Sequence, residues 1–338
     1  MQKSNTQQFR LGSNKRIINN NRNEMTRLAI VCPCYNEEAV LDRSAGVLES
    51  LLDGLVAKGK ISADSYVLIV NDGSRDKSWE IITRLHREDK RIKGLDLSRN
   101  VGHQNAIMAG MMEAADHCDA LITMDVDLQD DVNAIEKMVD DFNEGYEVVY
   151  GVKVQRDADP VLKRMSATAF YKLQSKLGVE TIYNHADFRL LSARVVKELA
   201  RYGERNLYLR GIIPLLGYKS TTVDDVIGKR MGGQSKYTLH KMLSLALNGV
   251  TSFSVKPIYA IMYAGWVFVL ISLIIGIYVI VSLLSGSAEH GWASMMLSIW
   301  FVGGAILISI GIVGVYIGKI YVEAKRRPLY HVRELLDD

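Results

Sequence analysis

Short apolar runs alternate with longer segments of helical periodicity along the first part of the chain. The apolar runs predict five strands, at residues 28–34, 66–70, 93–97, 120–124 and 147–152. The segments between them repeat their apolar positions with a helical period, which predicts helices at 39–58, 77–88, 104–115 and 132–143. Strands that alternate with helices are typical of βαβ units, so we expect an α/β domain with a mostly parallel sheet over residues 26–238.

The pattern changes after Lys256, where charged residues become rare. No Asp, Glu, Lys or Arg occurs between Lys256 and Glu289, and none again before Lys319. Residues 259–284 and 291–318 are therefore each long enough to cross a hydrocarbon core, which takes about 20 apolar residues. A pair of buried core helices is the alternative, but a soluble core helix of this length normally keeps a polar stripe. We predict two transmembrane helices.

The charges beside these helices predict their orientation. The link at 285–290 carries Glu289 as its one formal charge, whereas Lys256 and a basic run at 325–327 flank the outer ends. Because positive residues favour the cytoplasmic side, we expect a hairpin over residues 257–320 with both termini and the α/β domain in the cytoplasm. The protein would be a multi-pass cell-membrane protein, and residues 321–338 would form a cytoplasmic tail.

Basic residues are also frequent in three other segments. Residues 1–25 are rich in Asn and Gln and predict a disordered basic tail. Residues 155–178 and 239–256 are basic and amphipathic, which favours helices in the membrane interface over ordinary surface helices. The formal net charge is only +3, so the local clusters favour an anionic leaflet as the partner and not nucleic acid.

Each of the first four predicted strands is followed directly by polar residues. These clusters lie at residues 35–38, 72–74, 98–103 and 125–129. Ligands of open α/β sheets bind beyond the carboxyl ends of the parallel strands, where the four clusters would meet. One such cluster is compatible with a plain turn, but four at the same edge predict a binding site.

Asp125 and Asp127 form the most informative of these clusters. Two carboxylates that leave a strand end can bind a hard divalent cation and leave positions open for phosphate oxygens. The alternative is a helix N-terminus, where the helix dipole favours acidic residues.

Two further features favour a phosphorylated nucleoside ligand. Asp72 ends a strand, where its carboxylate can accept the ring N–H of a uracil, although a simple turn aspartate is equally compatible. The segment 230–236 places two cations and a hydroxyl around a Gly-Gly pair, which can clamp a phosphate or form an ordinary solvated loop.

With these motifs in order, the chain resembles the family-2 glycosyltransferases of the GT-A fold. It is most similar to their polyprenyl-phosphate branch, which includes dolichol-phosphate mannose synthases and bacterial bactoprenol glucosyltransferases. The strings that carry the resemblance are Cys34-Tyr35-Asn36-Glu37-Glu38, Asn71-Asp72-Gly73-Ser74, Leu97-Ser98-Arg99-Asn100 with Gly102-His103-Gln104, Asp125-Val126-Asp127-Leu128-Gln129-Asp130, Ala186-Asp187-Phe188-Arg189 and Gly233-Gln234-Ser235-Lys236.

The resemblance implies roles for individual residues. Those that would hold the nucleoside are Pro33, Tyr35, Glu37, Asp72 and Asp125. Those that would hold Mg²⁺ or Mn²⁺ with the diphosphate are Asp125, Asp127 and Gln129. The catalytic set would be Asp125, Asp127 and Asp187, the last near the sugar and the acceptor. Those that would bind the acceptor or its phosphate are Arg189, Arg230, Ser235 and Lys236. The chain departs from the family pattern at Val132, near which relatives often have Pro, and at Cys34.

The expected activity is inverting transfer of a hexose, glucose or N-acetylglucosamine, from a UDP-sugar to undecaprenyl (polyprenyl) phosphate. The product would be a lipid-linked sugar donor for cell-envelope glycosylation, made by a hexosyltransferase at the cytoplasmic face of the bilayer. A homo-oligomer is left open. The main alternative is a processive polysaccharide synthase of the same superfamily. Such enzymes resemble each other in a Gln-x-x-Arg-Trp motif, and this sequence does not contain it. A phosphotransferase and a catalytically inactive membrane scaffold are further alternatives.

Overall fold

The structure, a computed structural model, describes residues 25–153, 185–205, 207–226, 256–284 and 291–337. Its described strands are β1 (Leu28–Cys34), β2 (Tyr66–Asn71), β3 (Ile92–Leu97), β4 (Ala120–Thr123), β5 (Val148–Lys153), β6 (His185–Ser192), β7 (Ser220–Asp225) and β8 (Val332–Leu336). Its described helices are α1 (Leu41–Ala57), α2 (Ser78–Glu88), α3 (His103–Ala114), α4 (Ala134–Asn143), α5 (Ala193–Leu199), α6 (Leu209–Leu215), α7 (Lys256–Leu284) and α8 (Trp292–Lys325).

All eight strands belong to one sheet, in the order β7-β5-β6-β4-β1-β2-β3-β8. The central strands β3, β2, β1 and β4 are parallel neighbours, while β6 runs antiparallel to both β4 and β5. Each step from β1 to β2 and β3 moves the chain to one side, and β4 then returns to the other side of β1. The sheet therefore has a switch point between β1 and β4, where open α/β sheets bind ligands. The predicted α/β class with a mostly parallel sheet is confirmed.

The sheet is covered on both faces, because consecutive strand residues point to opposite sides. Leu28 and Ile30 pack on one side with residues of α1, α2 and α4. Ala29 and Val31 pack on the other side with residues of α3, α5 and α6. Every residue of β1 and β2 is buried, which explains why these strands are continuous apolar runs in the sequence.

Helix α3 lies unusually close to the sheet at Gly110. A Cβ atom there would stand 2.4 Å from Cγ1 of Val31 and 2.6 Å from Cγ2 of Val70. Real carbon atoms do not approach so closely, so the helix can occupy this position only because residue 110 has no side chain. This packing fixes the amino end of α3, which carries His103, over the switch point.

The segment 321–338, predicted as a cytoplasmic tail, contains a strand that the sequence did not predict. Residues Val332–Leu336 form β8, an antiparallel edge strand on β3. The backbone N–H of Ser98 donates to the carbonyl of His331 at 2.9 Å, and Arg333 lies 3.1 Å from the buried Asp96 carboxylate. The chain therefore returns from α8 to the catalytic domain, and α8 extends to Lys325 instead of ending near residue 320.

Two long apolar helices occupy the region predicted to span a membrane. They contact each other through the rings of Phe268 and Phe301, whose centroids are 5.4 Å apart at an edge-on angle. Within the described ranges, one stretch, Phe301–Lys325, is long and apolar enough to cross a membrane, and none of its apolar window is buried in protein. The two-span hairpin stays a prediction. The predicted basic tail and the two interface helices lie outside the described residues, except for Met25 and Lys256.

Candidate active site

A cavity of about 470 Å³ opens at the switch point, beyond the carboxyl ends of the parallel strands. Its size is within the range typical of small-molecule sites. The residues that line it are Pro33, Cys34, Tyr35, Glu37, Asp72, Asn100, Gly102, His103, Ala106, Asp125, Val126, Asp127, Asp187 and Arg210. The four clusters that follow the first four strands therefore meet in one cavity.

Asp72 joins the end of β2 to the loop before α3. Its carboxylate accepts the backbone N–H of Val101 at 2.7 Å and that of Gly102 at 3.0 Å. Gly73 is required beside it, because its φ is +63° and a Cβ would stand 2.5 Å from the backbone of Arg99 and Asn100. Burial is the largest influence on Asp72 and raises its pKa, although the two backbone hydrogen bonds oppose this. The carboxylate keeps lone pairs that can accept a hydrogen bond from a ligand.

The segment after β4 turns sharply around Leu128, whose φ of +52° is uncommon for a residue with a branched side chain. The turn is closed by a hydrogen bond from the Leu128 N–H to the Asp125 carbonyl at 3.2 Å. Gln129 donates to the Asp127 carboxylate through its side-chain amide, and through its backbone N–H at 3.2 Å. This turn holds the carboxylates of Asp125 and Asp127 at the cavity wall.

Asp187 lies opposite that turn, because β6 pairs antiparallel with β4 and its first residues reach the same edge of the sheet. Arg189 donates to its carboxylate at 2.5 Å, and Arg210 donates twice, through Nε at 3.2 Å and Nη2 at 3.1 Å. Nε2 of His103 is 3.4 Å from Asp187 and 3.7 Å from Asp125. One carboxylate therefore gathers three cationic side chains at the cavity.

The pKa values divide the carboxyl groups of the cavity into two kinds. Burial raises the pKa of Asp125, with further contributions from the charges of Asp127 and Asp187. Burial likewise raises the pKa of Glu37, helped by Asp127 and Asp125. Asp187 is different: burial works against its charge, but the hydrogen bond from His103 and the charges of Arg189 and Arg210 hold its pKa well below the usual range. Asp187 is thus firmly ionised and a weak base.

His103 carries the complementary shift. Burial would lower the pKa of this imidazole, but the hydrogen bond with Asp187 and the charges of Asp125 and Asp187 raise it above the ordinary histidine value. A larger fraction of His103 is therefore protonated near neutral pH than of an exposed histidine. When protonated, it adds its positive charge to that of Arg210 beside Asp187.

The five residues predicted to hold the nucleoside all line this cavity: Pro33, Tyr35, Glu37, Asp72 and Asp125. Asp127 and Asp187, from the predicted metal and catalytic sets, line it as well. Gln129 does not line it but orients Asp127. Arg189 is not among the lining residues: its side chain is only 1% exposed and donates to Asp187, and its acceptor role stays a prediction. Arg230, Ser235 and Lys236 lie outside the described residues.

Two basic residues of the cavity, His103 and Arg210, were not predicted as site residues. His103 was visible in the cluster after β3, and its position as the first residue of α3 would have supported a role. Arg210 belongs to the first turn of α6, far from any recognised string, and only the tertiary fold brings it to Asp187.

The fit of a divalent cation is tested by the charge pattern around the Asp125–Asp127 turn. The negative charge of Asp127 contributes to the raised pKa values of Asp125 and Glu37, and a cation bound beside these carboxylates would relieve that repulsion. Within the described residues no group of three or more His, Cys, Asp or Glu side chains surrounds a metal position. The donor set therefore fits a cation held by two carboxylates together with oxygens of a bound ligand, not a fully protein-enclosed metal.

A mostly parallel sheet with a polar cavity at its switch point agrees with the GT-A fold expected from the sequence. Residues 29–200 match the family described as Glycosyl transferase family 2, and the chain belongs to that family. The prediction of a hexosyltransferase enzyme is thereby confirmed at the level of its class.

The relatives agree over most of the chain. It is 46% identical to the Bacillus subtilis uncharacterized glycosyltransferase YkoT, over 90% of each protein. It is 34% identical to the Escherichia coli prophage bactoprenol glucosyl transferase homolog, over 91% of this chain and 99% of the relative. Among solved structures, mannosyltransferase PcManGT from Pyrobaculum calidifontis, in complex with GDP-Man and Mn²⁺, has 14% identity and a TM-score of 0.40, over 89% of this chain and 86% of its own.

Proposed function

We propose that the enzyme transfers one hexose, glucose or N-acetylglucosamine, from a UDP-sugar to undecaprenyl phosphate at the cytoplasmic face of the cell membrane. The observation that carries this proposal is the cavity itself, whose lining combines the carboxylates of Asp125 and Asp127 with the side chains of His103 and Arg210. Such a site has separate partners for a cation-bound diphosphate and for a second phosphate. The relatives named bactoprenol glucosyl transferases support the lipid acceptor.

The nucleoside would occupy the side of the cavity nearest β1 and β2. Pro33 and Tyr35 offer apolar and aromatic surface there, and Asp72 offers a fixed carboxylate. Because the Val101 and Gly102 N–H groups hold both oxygens of Asp72, the carboxylate cannot rotate away from a base that donates to it. A ring N–H donor such as that of uracil suits this acceptor.

The diphosphate would lie at the Asp125–Asp127 turn. Mg²⁺ or Mn²⁺ bound there would neutralise charge on the departing nucleoside diphosphate. Gln129 keeps the Asp127 carboxylate turned towards the cavity through two hydrogen bonds. The protein thus orients its two acidic ligands before the donor arrives, which reduces the cost of reorganisation during the reaction.

The transfer step would be one displacement with inversion. A phosphate oxygen of the acceptor forms a bond to the anomeric carbon, while the bond from that carbon to the diphosphate breaks and its electrons leave with UDP. The acceptor is already anionic near neutral pH and needs no proton removed. His103 and Arg210 would hold the acceptor phosphate, and Asp187 would position these two cations, because its low pKa disfavours a base role.

In this proposal, the apolar helices keep the enzyme in the membrane that holds the polyprenyl tail of the acceptor. Phe301–Lys325 has the length and hydropathy of a membrane span, and α7 carries no charged residue after Lys256. Two spans would keep the cavity beside the headgroups while the polyprenyl chain stays in lipid, which raises the effective concentration of its phosphate. The loop with Arg230, Ser235 and Lys236 would then close over both phosphates, as the family resemblance implies.

The test is to incubate membranes that contain the full-length enzyme with undecaprenyl phosphate and a panel of nucleotide-sugars, and to measure the mass of the lipid product. We expect a gain of one hexose or one N-acetylhexosamine with a UDP-sugar, with the lipid phosphate retained. Transfer of a sugar phosphate would contradict the displacement described above. A polymer on the lipid, or free in solution, would favour the processive synthase instead.

A further inference from the structure

A second cavity, of about 280 Å³, lies where the carboxyl end of α8 meets the catalytic domain. Its lining includes three cationic residues, Arg205, Lys325 and Arg327, and no acidic residue. Asn105 of α3 and Tyr321 of α8 contribute polar and aromatic surface. Three positive charges around one concave surface, without a carboxylate among the lining residues, favour an anionic ligand.

The contacts that connect the two sides of this cavity do not use the guanidinium of Arg205. The backbone N–H of Arg205 donates to both carboxylate oxygens of Glu323, at 2.8 and 2.9 Å, and this fastens the 205 segment to α8. Those bonds use the main chain of Arg205, not its guanidinium. Its Nε is buried and has no hydrogen-bond partner among the described residues. A buried charged donor without a partner is costly unless a ligand satisfies it.

The helix end itself shapes the rest of the cavity. Nζ of Lys325 lies 4.0 Å from the centroid of the Tyr321 ring, which holds this cation beside the helix. Arg326 then adopts a left-handed conformation, with φ of +46°, and ends the helix. The chain turns there, so that Arg327 lines the cavity while Arg326 does not.

The position of the cavity indicates the source of its ligand. It begins at the last turn of Phe301–Lys325, the stretch that is long and apolar enough to cross a membrane. At such a boundary the abundant anions are lipid phosphates, and Tyr and basic residues favour this depth. We propose that this cavity binds the phosphate headgroup of an anionic bilayer lipid, such as phosphatidylglycerol, and so fixes the catalytic domain against the leaflet.

This inference rests on the insertion of α8 into a bilayer, which is part of the proposed function, but it concerns a different lipid and a different cavity. The cavity of about 470 Å³ that holds Asp125 and Asp127 shares none of these lining residues. Lipid binding can therefore be measured without a nucleotide-sugar. Loss of sugar transfer with normal lipid binding, or the reverse, would identify which of the two proposals has failed.

The experiment compares two adjacent arginines in the full-length protein. Arg327→Gln removes a cation that lines the cavity, and Arg326→Gln removes an equal charge from the neighbouring exposed residue outside it. Purified protein in neutral detergent is titrated with short-chain phosphatidylglycerol or phosphatidylcholine, and bound lipid is counted by native mass spectrometry. We expect Arg327→Gln to weaken phosphatidylglycerol binding roughly fivefold, the effect of one basic residue near an anionic surface. Arg326→Gln should leave it nearly unchanged.

Arg205→Gln is a second variant and should weaken phosphatidylglycerol binding by at least as much, since the Nε atom of Arg205 is buried without a partner among the described residues. If this variant unfolds, the exposed Arg327 still decides the question. Equal losses in Arg326→Gln and Arg327→Gln would mean diffuse surface charge and would overturn the proposal. Equal binding of the two lipids to the wild-type protein would also overturn it. So would binding of inorganic phosphate by a protein that does not bind phosphatidylglycerol.

Discussion

Arg210→Gln tests whether the cations around Asp187 take part in the reaction. The guanidinium makes two hydrogen bonds to this carboxylate, at 3.2 and 3.1 Å, and is 32% exposed at the cavity. A hydrogen bond to a charged group contributes about 1.5–3 kcal/mol, and partial exposure places these two near the lower limit. Because His103 and Arg189 still hold Asp187 in the variant, we expect the stabilisation of the transition state to fall by only about 2–3 kcal/mol. This corresponds to a fall in kcat/KM of roughly 30- to 150-fold.

The assay measures transfer to undecaprenyl phosphate with each substrate varied in turn. If Arg210 binds the acceptor phosphate, the loss follows the acceptor dependence and leaves the affinity for the donor nucleotide almost unchanged. Arg210→Lys keeps the charge but not the two-pronged geometry, so its activity should be intermediate. Arg201→Gln is the matched control, because that arginine pairs with Glu198 on the surface and is 76% exposed.

A pH profile separates this role from a purely structural one. The charge of Arg210 lowers the pKa of His103, whose net shift is upward. Removal of Arg210 should therefore move the loss of activity at high pH, where His103 deprotonates, to a still higher pH. Wild-type activity and an unchanged profile in Arg210→Gln would refute the assignment of this cation to the acceptor phosphate.

Three further changes test other parts of the site and fold. Asp127→Asn should lower kcat by about a hundredfold or more, since it removes one of two charges that hold the diphosphate and its cation; full turnover in excess chelator would contradict the cation role. His103→Gln should lower kcat/KM roughly tenfold at pH 6 and remove the decline as pH rises through the raised pKa of His103; a decline that persists would mean another group titrates. Gly110→Ala should reduce the free energy of unfolding by about 1–3 kcal/mol in urea titrations, because the added Cβ meets Val31 and Val70. Gly46→Ala is its control, since a Cβ there meets nothing within 4 Å and should not destabilise α1; equal losses in both would refute the packing argument.

The first five strands could be predicted from the sequence because they are buried apolar runs. β1 was predicted at its observed bounds, and β2 to β5 within one residue at either end. Three strands, β6 to β8, were missed because none of them is an uninterrupted apolar run. In β6 the buried apolar residues are interrupted by Asp187 and Arg189. β7 is the polar sequence Ser220–Asp225 and is buried only at alternate positions near its end, and β8 is almost wholly exposed at the sheet edge. Their pairing depends on partners that are distant in the sequence.

The site was predictable to the extent that its residues follow parallel strands directly. Asp72 and Asp125 belong to this group, since the sheet edge is implied once the strands are known. Arg189 lies two residues from Asp187 on the same face of β6, where it donates to that carboxylate and is only 1% exposed. The tertiary packing that buries this arginine cannot be seen in the local sequence. Arg210 was missed because α6 reaches the site only through packing of Ile212 and Ile213 on the sheet. No local string contains that information.

The edge strand β8 has a practical consequence for handling this protein. Removal of the residues after α8 would look like trimming a tail, but it would expose the backbone of β3 as an open edge, which promotes association between molecules. It would also take Arg333 away from Asp96, a carboxylate that is 0% exposed. A purification tag fused directly to the carboxyl end would begin close to this strand, which ends at Leu336. Affinity handles for this enzyme are better placed at the other terminus, or after a flexible spacer.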